Sequence, residues 1–222
     1  MDRKLSRQEA SEATGAHGWR FLLGTLRTSV PVHSLHQAAV AAMRAAEVCG
    51  SDADGHLRSD IRADRVVLTL QTRAIAALTA LDADLARRLF EAMIELNLRP
   101  TPESVQQFEI AIDALDIASI RPFWKAVLGY LDEPGATGPE DPIVDPLAQA
   151  PPVWFQQMDV PRPQRNRMHL DVAVPHDEAP GRIAAALAAG GRLVSADRAP
   201  AFWVLADAEG NEVCVTTWQG RD

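Results

Sequence analysis

One pattern governs the second half of the chain: a strand, a helix and three short strands are written twice. Residues 107–115 (QFEIAIDAL) alternate, with Ile110 and Ile112 on one side and Glu109, Ala111 and Asp113 on the other. A helix follows over IASIRPFWKAVLGY, closed by Gly129, and then strands near Leu131, near Ile143 and over VWFQQM at 153–158. The order restarts with RMHLDVAV, the helix DEAPGRIAAALAAGG, and the strands GRLVSAD, AFWVLAD and NEVCVTTW. Glu109 aligns on His169 and Asp116 on His176 at an offset of 60 residues, and Gly129 aligns on Gly190 at 61. A unit repeated at this length buries its apolar face against its copy. The expected result is one cupped sheet of eight strands, with helices on the convex side and a cavity on the concave side.

The first half has another rhythm. Residues 35–48 (LHQAAVAAMRAAEV) place Leu35, Ala39, Ala42, Met43 and Ala46 at helical spacing, ending at Cys49 and Gly50. After the polar stretch SDADGHLRSD, RVVLTLQT reads as a strand, and a helix from Thr79 carries Leu85, Leu89, Met93 and Leu96 on one face. Pro100 and Pro102 end it and mark the domain boundary, giving domains over 1–100 and 104–222. The length of 222 residues suits two compact domains of roughly 100 residues each. The fold class expected is α+β.

Composition narrows the partners. A net charge of −8 without a basic cluster argues against nucleic acid and anionic membranes. No apolar run approaches the roughly 20 residues of a membrane span, and MDRKLSRQEASEATG lacks the apolar core of a signal peptide, so a cytoplasmic protein is expected. Cys49 and Cys214 fit neither a redox pair nor a zinc ribbon. Lys4 and Lys125 are the only lysines and Tyr130 the only tyrosine, which disfavours Schiff-base and phenol chemistry. No GxSxG, Walker or GxGxxG motif is present.

By alternation, Trp154 and Gln156 face the cup, with Trp203 and Trp218 on neighbouring strands, an aromatic lining suited to a planar organic ligand. Asp113, Asp171 and Glu212 face the same way, and Arg165 and Arg167, just before His169, are the nearest counter-charges for these carboxylates or for a ligand. Unpaired, one of the carboxyls would carry a raised pKa. The loop Asp207–Asn211 (DAEGN) reads as a hairpin turn without a catalytic role.

The duplicated module, FWKAVLGY after its first strand, RNRMHLDVAV opening the second copy and DAEGNEVCV in the last hairpin together resemble the vicinal oxygen chelate superfamily, in its glyoxalase-like, bleomycin-resistance-like branch, over about 104–219. The resemblance implies a concave pocket and, in many relatives, a divalent metal held by the first and last strands of each module. Those positions fall on Glu109, Gln156, His169 and Cys214, where the usual set is His or Gln with Glu, repeated. They would suit zinc or a similar ion. The favoured reading has no cofactor, with Glu109 and His169 as an acid/base pair and Cys214 as a small buried hydrophobe. The activity implied is that of a lyase or isomerase on a small organic molecule; a drug-sequestering binder is the alternative, and a homodimer is compatible with either.

Residues 5–98 resemble pterin-4a-carbinolamine dehydratase through Trp19, the helix ending in AAE, DRVVLTLQT and LTALDADLAR. That family's His-His-Pro cluster is replaced by CGSDADGHL, and its histidine after the strand by Thr72-Arg73, so His56 stands as a displaced remnant. The expectation is an α/β dehydratase-like domain with a degenerate site; residual 4a-hydroxytetrahydrobiopterin dehydration is the further alternative.

Overall fold

The computed structural model describes residues 3–161 and 168–220. They divide into two compact units, Met1–Gln107 and Phe108–Asp222.

In the first unit, β1 (Arg20–Leu22), β2 (Thr25–Pro31), β3 (Leu57–Ile61) and β4 (Arg65–Leu70) form an antiparallel sheet in the order β1-β2-β4-β3. The helix α1 (Arg7–Gly15) opens with a capping box in which Ser6 and Glu9 exchange hydrogen bonds. The longer helices α2 (Leu35–Cys49) and α4 (Ala80–Glu95) contribute most helical residues of a core that includes Leu26, Val30, Val66, Leu68 and Leu70 of the sheet. A single helical turn, α3 (Ala53–His56), precedes β3. The face of α4 is the expected one, with Leu85, Leu89 and Met93 buried. The face of α2 is not. Ala38, Ala41, Ala42, Ala45 and Cys49 are buried, while Leu35 and Met43 are 57% and 65% exposed. Alanines on both sides of this helix blur the apolar period, and the small side chains let α2 lie close to the elements beneath it.

The second unit contains the two copies. Module one comprises β5 (Ile110–Ala114), α5 (Ile117–Leu128), β6 (Leu131–Asp132), β7 (Ile143–Val144) and β8 (Val153–Gln157), ordered β5-β8-β7-β6. Module two repeats this with β9 (Asp171–Ala173), α6 (Ala179–Ala188), β10 (Arg192–Ser195), β11 (Phe202–Ala206) and β12 (Glu212–Thr216), ordered β10-β11-β12-β9. In each module the first strand lies parallel to the fourth. The eight strands therefore form two four-stranded sheets among the described residues, not one continuous eight-stranded sheet, because each module closes its ladder internally.

Both copies share one core. Ile112, Ala114, Phe155, Val153, Leu205, Val213 and Val215 from the strands meet Ile120, Phe123, Trp124 and Val127 of α5 and Ala186 of α6. The two helices approach closely at glycines. A Cβ at Gly191 would lie 2.3 Å from the Phe123 ring, and one at Gly129, where φ is +71°, would lie 2.9 Å from the Arg182 guanidinium. Arg182 uses that space to donate to the Val127 carbonyl at 3.1 Å.

Candidate functional site

Alternation along the strands separates a buried face from an open one. On β12, Val213 and Val215 enter the core, so Glu212, Cys214 and Thr216 take the other side; on β5, Ile112 and Ala114 enter it, leaving Glu109, Ala111 and Asp113 on the open side. The parallel register of β12 with β9 sets Cys214 opposite Asp171, and the Cys214 N–H donates to the Leu170 carbonyl at 2.9 Å. Met168, His169, Leu170, Gly210, Glu212, Val213 and Cys214 line a shallow hollow next to this pair of strands, open to solvent, so Glu212 and His169 both border it.

In module one the register sets Asp113 opposite Gln156 and Ala111 opposite Trp154. Glu109 precedes β5, is exposed, and lies four residues from the level of Gln156, about 13 Å at the rise of a strand. Gln156 is exposed too, and its Nε2 donates to the Gln157 carbonyl at 3.2 Å.

Several expected residues lie elsewhere. Trp203 pairs with Val215 and packs against the core, so it does not line the open face; Val204, opposite Cys214, stands there instead. AFWVLAD is apolar without interruption, and alternation alone could not tell which of its residues face inward. Trp218 follows β12, is 63% exposed, and donates its indole N–H to His176 Nδ1 at 3.3 Å. Trp154 keeps its expected face. Asp171 is exposed at the start of β9. Arg165 and Arg167 lie outside the described residues. A raised carboxyl does occur, but at Glu133 in the loop after β6, where burial and then the charge of Asp141 push it up.

The first unit holds a polar cluster around His56, whose partner Asp82 sequence reading passed over. Asp82, fully buried, lies 2.8 Å from His56 Nδ1 through one carboxylate oxygen. Its other oxygen accepts from Thr72 Oγ1 at 2.6 Å, from the Thr79 N–H at 2.8 Å and from Thr79 Oγ1 at 3.1 Å. With Nδ1–H donated to Asp82, the lone pair of His56 is left on Nε2, and the ring retains 14% exposure. A buried carboxylate that fixes the tautomer of a partly accessible imidazole is the arrangement acid/base chemistry uses. Asp82 is concealed in the sequence because it also completes the capping box of α4 with Thr79.

Residues 109–216 match the family model of the glyoxalase-like domain, and residues 3–92 match that of pterin 4 alpha carbinolamine dehydratase. The chain joins a dehydratase-like domain to a glyoxalase-like domain. No curated protein matches it. Similar solved structures include a transcriptional coactivator/pterin dehydratase from Brucella melitensis, with 25% identity over 40% of this chain and 98% of that one and a TM-score of 0.37. A glyoxalase/bleomycin resistance protein from Albidiferax ferrireducens T118 has 20% identity over 50% and 97%, with a TM-score of 0.39. A genomically encoded fosfomycin resistance protein from Listeria monocytogenes has 9% identity over 51% and 92%, with a TM-score of 0.40.

The four metal positions carried over to the glyoxalase-like domain do not fit a metal centre. Among the described residues no three His, Cys, Asp or Glu side chains are grouped so as to hold an ion. The register gives the reason: Cys214 is level with Asp171 and not with His169, and Gln156 is level with Asp113 and not with Glu109. Nor does a hydrogen bond or ion pair join Glu109 to His169 among the described residues; the acid that shares the hollow with His169 is Glu212.

Proposed function

We propose that the glyoxalase-like domain binds a small organic molecule on the open face of module two and transfers a proton to or from it at His169. The observation that carries this reading is that His169 and Glu212 line the same hollow, together with Cys214. A neighbouring carboxylate can orient the imidazole, while Cys214 and Leu170 give the hollow apolar lining. Trp154, Asp171 and Glu109 extend the open face and act in binding. The chemistry this supports is an isomerisation or elimination in which one imidazole moves one proton. In a fragment screen of the full chain by amide NMR, shifts are expected to cluster on residues 168–170 and 212–214 and to be lost in His169→Ala. Shifts scattered over both units would overturn the assignment.

A second reading rests on the His56–Asp82 pair. The dehydratase-like domain retains one imidazole held by a buried carboxylate; carrying a proton on Nε2 as well, it can give that proton to the departing hydroxyl, so that water leaves, and take one back from the ring nitrogen as the C=N bond forms. Dehydration of a pterin 4a-carbinolamine by the full chain should then exceed the uncatalysed rate and fall at least about tenfold in His56→Ala. Equal rates in the two proteins would exclude it.

A further inference from the structure

The helix α2 is apolar on two opposite faces. At about 100° per residue, Ala38, Ala41, Ala42, Ala45 and Cys49 turn toward the core, where they are buried. Leu35, Ala39, Val40, Met43 and Ala46 occupy the arc turned away from it, and of these Leu35 is 57%, Val40 38% and Met43 65% exposed. The other large apolar side chains exposed in this unit, Leu23, Ile61 and Ile94, sit singly on separate elements, as surface residues of a monomer do. A helix apolar on both faces belongs between two layers, and the first unit covers the inner face alone.

The outer face is complementary to itself. Large and small side chains alternate at four-residue steps through Leu35, Ala39 and Met43, and a base and an acid stand at opposite ends: His36 and Glu47 are both exposed and lie about three turns apart. Where a second copy lies antiparallel across a two-fold axis near Ala41, Met43 seats on Ala39 of the other helix, and Leu35 and His36 come level with its Ala46 and Glu47. The His36 ring N–H then donates to the Glu47 carboxylate of the other copy, once at each end. A parallel pairing sets Met43 on Met43 and Glu47 on Glu47 instead, with like charges together. On the flank toward α4, Arg44 is held by Glu95 at 3.0 Å and stands 3.6 Å from Glu47, so that flank is already balanced.

We propose that the outer face of α2 is the contact between two copies of this chain, packed antiparallel about a two-fold axis. Self-complementarity is what such an interface requires. The contact is small: a helix of 15 residues is about 22 Å long, and two such faces fall short of the roughly 1,200 Å² of a standard interface. The dimer is therefore reversible, with a dissociation constant of about 10–100 µM. It is independent of both readings of function given above, which each use one copy.

Sedimentation velocity of the full chain from about 2 to about 500 µM tests it. The wild type should pass from monomer to dimer across that range, as should Trp218→Ser, which removes a comparably exposed side chain from the second unit. Met43→Glu should dissociate at least about tenfold more readily, while melting like the wild type at a concentration where both are monomers, because the side chain it replaces is exposed. Should that variant fail to fold, Leu35→Glu replaces it. Disulfide trapping in a Cys214→Ser background reads the register: a mixture of Ala39→Cys and Met43→Cys chains should cross-link, and neither chain alone should. A wild type monomeric throughout, a dimer indifferent to Met43→Glu and Leu35→Glu, or Met43→Cys chains that cross-link to one another in preference to the mixture overturns the proposal.

Discussion

Asp207 accepts the indole N–H of Trp124 at 2.9 Å while wholly excluded from solvent. It also accepts the backbone N–H groups of Glu209 and Asn211 and the side-chain amide of Asn211 at 2.8–3.0 Å. The hairpin loop so fixed belongs to module two, and its Glu209 carboxylate accepts the N–H groups of Leu115 and Asp116 at the strand-to-helix corner of module one. What reads in sequence as a plain turn is the polar clasp between the two copies.

Removing that carboxylate leaves four donors without their acceptor. Asp207→Ala should cost about 3–4 kcal/mol, and Asp207→Asn, which keeps one acceptor oxygen, about half of that. Urea denaturation followed by tryptophan fluorescence measures both. A loss below about 1 kcal/mol in the alanine variant would show that the modules hold together without the clasp.

The glycines after α6 separate two causes of intolerance. Gly190 has φ of +94° with nothing near its missing Cβ, so Gly190→Ala pays only for backbone strain, about 1 kcal/mol. Gly191 faces the fully buried Phe123 ring at 2.3 Å, and the Ala186 carbonyl at 2.9 Å blocks relief, so Gly191→Ala should cost more, about 2–3 kcal/mol. Thermal denaturation ranks the two, and the reverse order would place the tight contact elsewhere.

Tyr130 is the chain's one tyrosine, so absorbance near 295 nm titrates it alone. Burial, and next the Asp145 charge, push its phenol up to about 12, and its O–H donates to the Pro151 carbonyl at 2.8 Å. The unfolded phenol titrates near 10. The folded state thus binds the proton more tightly, so this contribution to stability is complete below about pH 10 and is lost as pH rises toward 12. The expected record is a flat absorbance through pH 10, with ionisation above it or coincident with unfolding. A native midpoint near 10 would contradict the burial.

How much of this was legible depended on which pattern a residue obeyed. The order of strands and helices in the duplication shows plainly, since β5 alternates and Gly129 and Gly190 stop the helices at matching places. Register does not, because β6 and β7 have two residues each, too short for alternation to fix which residues stand side by side. Strands β1, β2 and β3 escaped notice: residues 20–31 and 57–61 mix arginine, serine and glycine with few uninterrupted apolar positions. His56 and Asp82 lie 26 residues apart, and only the fold brings a turn after α2 against the start of α4.

The two thiols provide a last test, of the hollow itself. Thiolate, not thiol, attacks a disulfide reagent. Cys49 is 2% exposed at the end of α2, and burial pushes its thiol up to about 11, against a small opposing pull from Arg88; near pH 8 about one molecule in a thousand carries the thiolate, and that one is shielded. Cys214 is half-buried and opens onto the hollow beside His169 and Glu212. Ellman's reagent should therefore titrate one thiol in the native chain and two after denaturation, with the native equivalent absent from Cys214→Ser and retained in Cys49→Ser. A ligand seated in the hollow should slow the native reaction. Two fast equivalents would mean that α2 opens readily, and none would mean that the hollow is closed, which would remove the site proposed at His169.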